Sequence, residues 1–220
     1  MGRNRTAYAA GGEARLVDEA EVIVSSPRSK GQSSPFDAAL LAGEDLVLFE
    51  MSTTAFTLAA LQRGDVALFQ AEVGKFTDKV RQLRPAVEGL ADGTWELPGL
   101  GRSRIRTSSP LVVPLHPYPS LTSTLEPLEA AELRTFGGSV AAAAVHPVQI
   151  LTSEELEMLE VPLAAGEIRL PDLLRGKVAD SITRHVSVKT SLINHSSDLN
   201  RTTLRCGRCL RSCTRQHMSL

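Results

Sequence analysis

Apolar residues recur at Phe69, Val73, Phe76, Val80, Leu83, Val87 and Leu90, at alternating spacings of four and three. That spacing lines one face of a 3.6-residue helix, so it predicts a long amphipathic helix laid on a sheet. Gly64-Asp65 supplies its N-cap region and Gly93 its end, and Pro85 is expected to kink it. Upstream the period changes. Glu19 to Val24 (EAEVIV) alternates and then turns β-branched, a strand signal, and Ser25 to Pro35 is a loop dense in Ser, Pro and Gly. Phe36 to Leu41 and Leu46 to Glu50 (LVLFE) flank the turn Gly43-Glu44-Asp45 and read as a hairpin. The continuous apolar character of its second strand points to burial on both faces.

Beyond the helix, residues 94–109 are rich in Gly, Ser and Arg, with Arg102, Arg104 and Arg106 at alternate positions, and read as an exposed connection or edge strand. Leu111 to Leu115 (LVVPL) is a strand in which Pro114 belongs at an edge or an end. A polar stretch with several prolines follows, then a strand over Val145 to Leu151. Thr152 with Glu155 three residues later is a capping box, opening a helix that carries Leu156 and Leu159; another short helix starts near Pro171-Asp172. No internal repeat is present. Strands alternating with helices predict an α/β fold, a mixed β-sheet flanked by helices.

Length and composition narrow this picture. At 220 residues, 42% hydrophobic and 22% charged, the chain suits one globular domain. That domain is expected over 14–195, between a polar, Gly-containing lead-in (1–13) and a basic tail (196–220). A formal net charge of -1 gives no chain-wide field for nucleic acid, so phosphate contacts need a local patch. No apolar run reaches the ~18 to 20 residues that span a bilayer, and Arg3 and Arg5 precede no apolar signal segment, so no membrane partner is expected. Cys206, Cys209 and Cys213 all lie in the tail, which leaves no disulfide framework for the fold and suits a reducing, cytoplasmic setting.

Chemistry is suggested first by the hairpin. Asp37 opens one strand and Glu50 closes the next, so the turn brings two carboxylates to one end. Two such groups with a backbone carbonyl and waters suit Mg²⁺, which keeps much of its water shell. The plainer alternative is a pair of solvated strand-end carboxylates.

Pro35-Phe36-Asp37, then LVLFE ending at Glu50, then Met51-Ser52 and the long helix with Lys75, Lys79 and Gln82 resemble the PD-(D/E)XK nuclease-like superfamily over roughly 19–95. The parts after 110 resemble strands and helices added in bacterial members. The resemblance implies a restriction-endonuclease-like core acting on DNA or RNA, with Asp37 and Glu50 as Mg²⁺ ligands. It also implies a lysine two positions after the glutamate, where this chain has Ser52. The family lysine positions water and offsets charge developing on phosphate, a role that contributes ~10² or more in rate. Either activity is lost or the cation comes from elsewhere: Lys75, Lys79 and Gln82 fall at i, i+4 and i+7 on a stripe beside the apolar one, and Lys79 or Lys75 is the candidate for a displaced cation. Alternatively Lys75 and Lys79 solvate the helix rim, with Glu72 and Asp78 as ordinary surface charges.

In the tail, Cys206-x2-Cys209-x3-Cys213-x3-His217 places four Zn²⁺-type ligands within twelve residues, but the spacing fits no common finger and no apolar cluster accompanies it. A tail with adventitious cysteines is the favoured alternative. Arg201, Arg205, Arg208, Arg211 and Arg215 share the stretch and suit non-specific phosphate contact or solubility. There is no phosphate-loop, dinucleotide, zinc-protease or serine-elbow motif. His116 and His146, each before a proline, read as structural or exposed. Two functions remain in view: a Mg-dependent nuclease with a relocated cation, or a catalytically inactive module of the same fold that serves a protein partner.

Overall fold

The expected hairpin forms as β3 (Ala38–Ala42) and β4 (Asp45–Ser52), paired antiparallel from Ala38↔Phe49 to Ala42↔Asp45 across the turn Gly43-Glu44. In the computed structural model the described residues are 14–18, 21, 23–24, 36–62, 65–97, 105–119, 122–136, 144–179 and 187–188. The lead-in, the loop before Phe36, Gly64, Arg102, Arg104 and the tail with Cys206, Cys209, Cys213, His217 and its arginines lie outside them. Leu46, Val47 and Leu48 are all fully buried, as the unbroken apolar run requires of a strand covered on both faces.

β3 also pairs with β1 (Ala14–Asp18), antiparallel along its whole length. The strand expected over Glu19 to Val24 lies only in part among the described residues, which leave out Glu19, Ala20 and Val22. Its last two residues form β2 (Ile23–Val24), which pairs with β5 (Trp95–Glu96) in a separate two-stranded ladder. Pairing with β3, and not β-branched content, decides which segment becomes the outer strand.

Between β4 and the next sheet strand lie a short helix the sequence did not announce, α1 (Leu58–Gln62), and the long α2 (Val66–Asp92). Asp65 caps α2 by accepting the Leu68 N–H at 3.0 Å, and Gly93, at φ 78, ends it in a left-handed conformation open to glycine. The helix runs through Pro85 as one element. Near its end Gly89 lets Trp95 lie against the backbone: a Cβ there would stand 1.8 Å from the indole.

β6 (Thr107–Pro114) is parallel to β4 along all eight residues, from Asp45↔Thr107 to Ser52↔Pro114. On its other side it pairs with β7 (Ala144–Val145) and β8 (Gln149–Ile150), two short strands sharing one edge position. The result is a mixed sheet five positions wide, ordered β1-β3-β4-β6 and then β7 with β8. β6 is central, yet it contains Pro110 as well as Pro114 at its end. Ser108 and Val112 turn their carbonyls to the β7/β8 side, accepting from His146 N at 2.8 Å and Leu151 N at 3.2 Å. Pro110 shares their parity, so its missing N–H faces residues 146–148, where that neighbour is interrupted.

The polar stretch after β6 contains a further helix, α3 (Thr122–Phe136). Its buried face is Thr124, Leu128, Ala131 and Thr135, helical spacing half made of threonine. The Thr124 hydroxyl donates to Pro119 O and the Thr135 hydroxyl to Ala131 O, which lets both be buried. α4 (Ser153–Ala164) starts with the expected capping box of Thr152 and Glu155, and α5 (Leu170–Ala179) follows. Phe76, Val80, Leu83, Val87 and Leu128 cover one sheet face through Leu46, Leu48 and Val112; Leu159, Leu163, Leu170 and Leu174 cover the other through Val47, Leu111 and Val113. The chain is thus an α/β protein with helices on both faces of a mixed sheet. Arg175 locks α5 to the hairpin by donating to Asp45 at 2.9 Å, and Arg169 donates to Ala42 O at 3.1 Å.

Candidate functional site

Asp37 stands one step beyond the last β3–β4 pair. Its backbone N–H donates to Phe49 O at 3.0 Å, and its carboxylate Oδ2 accepts the Met51 N–H at 2.7 Å. Asp37 therefore grips β4 on both sides of Glu50, and the register sets it beside Glu50 on the sheet face under α2. Glu50 shares the parity of Leu46 and Leu48, which point to that face. It is only 5% exposed, whereas Asp37 is open to solvent.

The helix stripe completes the group. Lys79 Nζ donates to Glu50 Oε1 at 2.6 Å and to Gln82 Oε1 at 3.0 Å. Burial pushes the Glu50 carboxyl above its ordinary range; the Lys79 hydrogen bond opposes this and the nearby Asp37 charge adds to it. Of the five residues the sequence singled out here, Asp37, Glu50, Lys79 and Gln82 are linked in one cluster by register or hydrogen bond. Lys75 is exposed one turn earlier on α2.

Ser52 is fully buried, and its Oγ accepts the Thr54 N–H at 3.3 Å. The position after Met51 is thus a staple for the following loop, closed to solvent. Glu72 is a correction. It is not a surface charge but 3% exposed, and both its carboxylate oxygens accept the Thr57 N–H, at 3.2 and 3.1 Å. Two turns before Lys79 on the same helix face, it fixes the segment leading into α1. Asp78 is an ordinary surface charge, paired with Arg81.

An aromatic chain also escaped sequence reading. Phe56 meets Phe69 at 5.9 Å and Tyr118 at 5.6 Å, and Tyr118 meets Phe76 at 4.4 Å between centroids. These contacts bind the segments that leave β4 and β6 to α2. Tyr118 donates to Thr124 O at 3.0 Å, and burial pushes its phenol up to about 12. Phe69 and Phe76 belong to the periodic apolar stripe of α2, but Phe56 and Tyr118 lie far from it in sequence and follow no period, so no local signal marks their contacts.

The remaining candidates lie elsewhere. His116 is exposed. The His146 ring is influenced by Arg175 and Asp45, at the opposite end of β4 from Glu50; burial lowers its pKa and its Nε2 has no hydrogen-bond partner. A groove of about 590 Å³ opens on the α3 side of α2, lined by Val66, Phe69, Val73, Thr77 and Pro127, and includes none of Asp37, Glu50 or Lys79.

Among the described residues no three His, Cys, Asp or Glu side chains stand together as a metal-binding group. Two carboxylates from paired strands, hard oxygen donors with no thiolate or imidazole, are the donor type of a water-rich Mg²⁺ or Mn²⁺ site and not of a closed zinc site. No described helix is long and apolar enough to cross a membrane. No family model, curated protein or solved structure matches the chain.

Proposed function

We propose that this protein is a nuclease-like phosphodiesterase, dependent on Mg²⁺ or Mn²⁺, whose working groups are Asp37, Glu50 and Lys79. The observation that carries this reading is the lysine ammonium 2.6 Å from Glu50, a buried carboxylate beside Asp37 in strand register. The order of an antiparallel β1-β3-β4 unit, a long helix and a parallel β6 supports a restriction-endonuclease-like core for it.

Asp37 and Glu50 would hold the divalent ion, which when bound polarises the phosphate and lowers the pKa of a water molecule. Asp37 is kept in place by the Met51 N–H and leaves its second oxygen for the ion. Lys79 reaches Glu50 from the helix and would do the work of the strand lysine that Ser52 replaces, its charge offsetting the negative charge growing on the phosphate. Gln82 holds the ammonium from the other side. The substrate is DNA or RNA, and exposed Lys75 adds a cation near the site for its backbone.

The inactive-module reading, with a protein partner, has one observation in its favour: Glu50 Oε1 and Asp37 Oδ2 are each engaged by groups of the chain itself. Cleavage of labelled single- and double-stranded DNA and RNA with Mn²⁺ or Mg²⁺, by wild type and Glu50→Ala, separates the two. Metal-dependent cleavage that falls by about 10²-fold or more in the variant is expected. A folded wild-type chain that cuts nothing in the panel favours the inactive module.

A further inference from the structure

We infer that Lys79 is a competitor of the divalent ion for Glu50, and that ion binding transfers its ammonium from Glu50 Oε1 onto Gln82. The inference rests on the proposed metal-dependent function and concerns how that same site is controlled. Lys79 Nζ already bridges two acceptors of different character, the carboxylate of Glu50 at 2.6 Å and the amide oxygen of Gln82 at 3.0 Å. Glu50 is almost entirely enclosed, with its side chain 7% exposed, whereas Lys79 is 27% exposed and Gln82 lies on the open helix surface. The buried anion thus has its counterion from within the chain.

With a dication held by Glu50 and Asp37, Glu50 would no longer need Lys79 as its counterion. The Lys79 ammonium would then face a like charge in a partly buried site, where repulsion is strong. The lysine stem is flexible, and its three donors need no fixed plane, so it can release the carboxylate without a backbone change. Gln82, one turn onward, is a neutral acceptor to which the ion offers no competition. Before the ion arrives, Lys79 occupies the carboxylate; afterwards it is held at the rim, free to meet a phosphate.

Two neighbouring residues therefore act on metal affinity with opposite signs. At about pH 8, where an ordinary carboxylate is ionised, Lys79→Met should bind Mn²⁺ about 10-fold more tightly than wild type, an order-of-magnitude expectation for removing one close like charge. Gln82→Met should bind it a few-fold more weakly, because the displaced ammonium loses its acceptor. Titration calorimetry with Mn²⁺ alone on the full chain reads both.

A second readout needs no variant: acylation of wild-type lysines, followed by mass spectrometry of the peptides, with and without Mn²⁺. Labelling of Lys79 should rise several-fold with the ion while that of exposed Lys75 stays level. If Mn²⁺ binds but Lys79 labelling does not rise, or if Lys79→Met binds no more tightly, the displacement idea fails and the metal-dependent reading survives. If wild type and both variants bind no Mn²⁺, both fall together.

Discussion

Lys79 and Glu50 meet at 2.6 Å although they sit 29 residues apart, one on a helix and the other on a central strand. The ion pair follows from the level at which α2 packs over β4. With Lys79 on Glu50, Val80, Leu83 and Val87 fall in the core with Leu46 and Leu48. It also places a cation on the carboxylate that the adjoining strand residue, Ser52, does not supply.

Restoring a lysine on the strand should therefore fail. Ser52 is fully enclosed and its hydroxyl holds the Thr54 N–H, so Ser52→Lys buries a charge and removes that bond. Unfolding free energy in urea should fall by about 2–4 kcal/mol, with no gain in cleavage. A stable Ser52→Lys chain that cuts faster than wild type would return the cation to the strand.

The raised pKa of Glu50 fixes the sign of one pH effect. Its ordinary value is near 4.5, and burial lifts it in the folded chain. Over the window above that value the folded state holds a proton the unfolded state has released, so stability declines as pH rises through the folded pKa. Glu50→Gln removes this titration. Its stability relative to wild type should grow from about pH 4 upward and then level off. Urea titrations across pH test it, and a difference independent of pH would contradict it.

His146 gives the opposite slope. Burial, with Arg175 adding to it, lowers its pKa from 6.5 against the pull of Asp45. The folded chain binds fewer protons than the unfolded one, so this contribution is complete above 6.5 and is lost as pH falls through the depressed folded value. The variant His146→Gln should flatten the decline in stability on the acid side of neutrality. An unchanged acid limb in melting experiments would show that the ring is not its source.

Two glycines of the same helix should respond with opposite signs to alanine. A Cβ at Gly74 meets nothing within 4 Å, so Gly74→Ala should gain up to ~1 kcal/mol from helix propensity. At Gly89 the Cβ would stand 1.8 Å from Trp95, so Gly89→Ala should lose about 1–3 kcal/mol as the indole is forced aside. Calorimetric melting of both variants decides it, with a shift in tryptophan fluorescence expected for the second alone.

The hairpin, α2 and the cap of α4 were legible in sequence because each is written in local periodicity or in a residue pair within one turn. Seven apolar positions at helical spacing fix α2, and Thr152 with Glu155 fixes the start of α4. Asp37 and Glu50 were legible for the same reason: a two-residue turn carries the register from one strand to the next. What periodicity does not encode is partnership. β1 became a strand because β3 offered its edge, α3 hid its face behind two threonines, and β6 kept Pro110 at its centre because the neighbour is broken opposite it. Glu72 looked like surface and is buried under a loop; Ser52 looked like a missing lysine and is a staple. The choice of Lys79 over Lys75 was likewise made by packing, since the two share a stripe and only the level at which the apolar residues seat α2 over β4 decides which cation reaches a buried carboxylate.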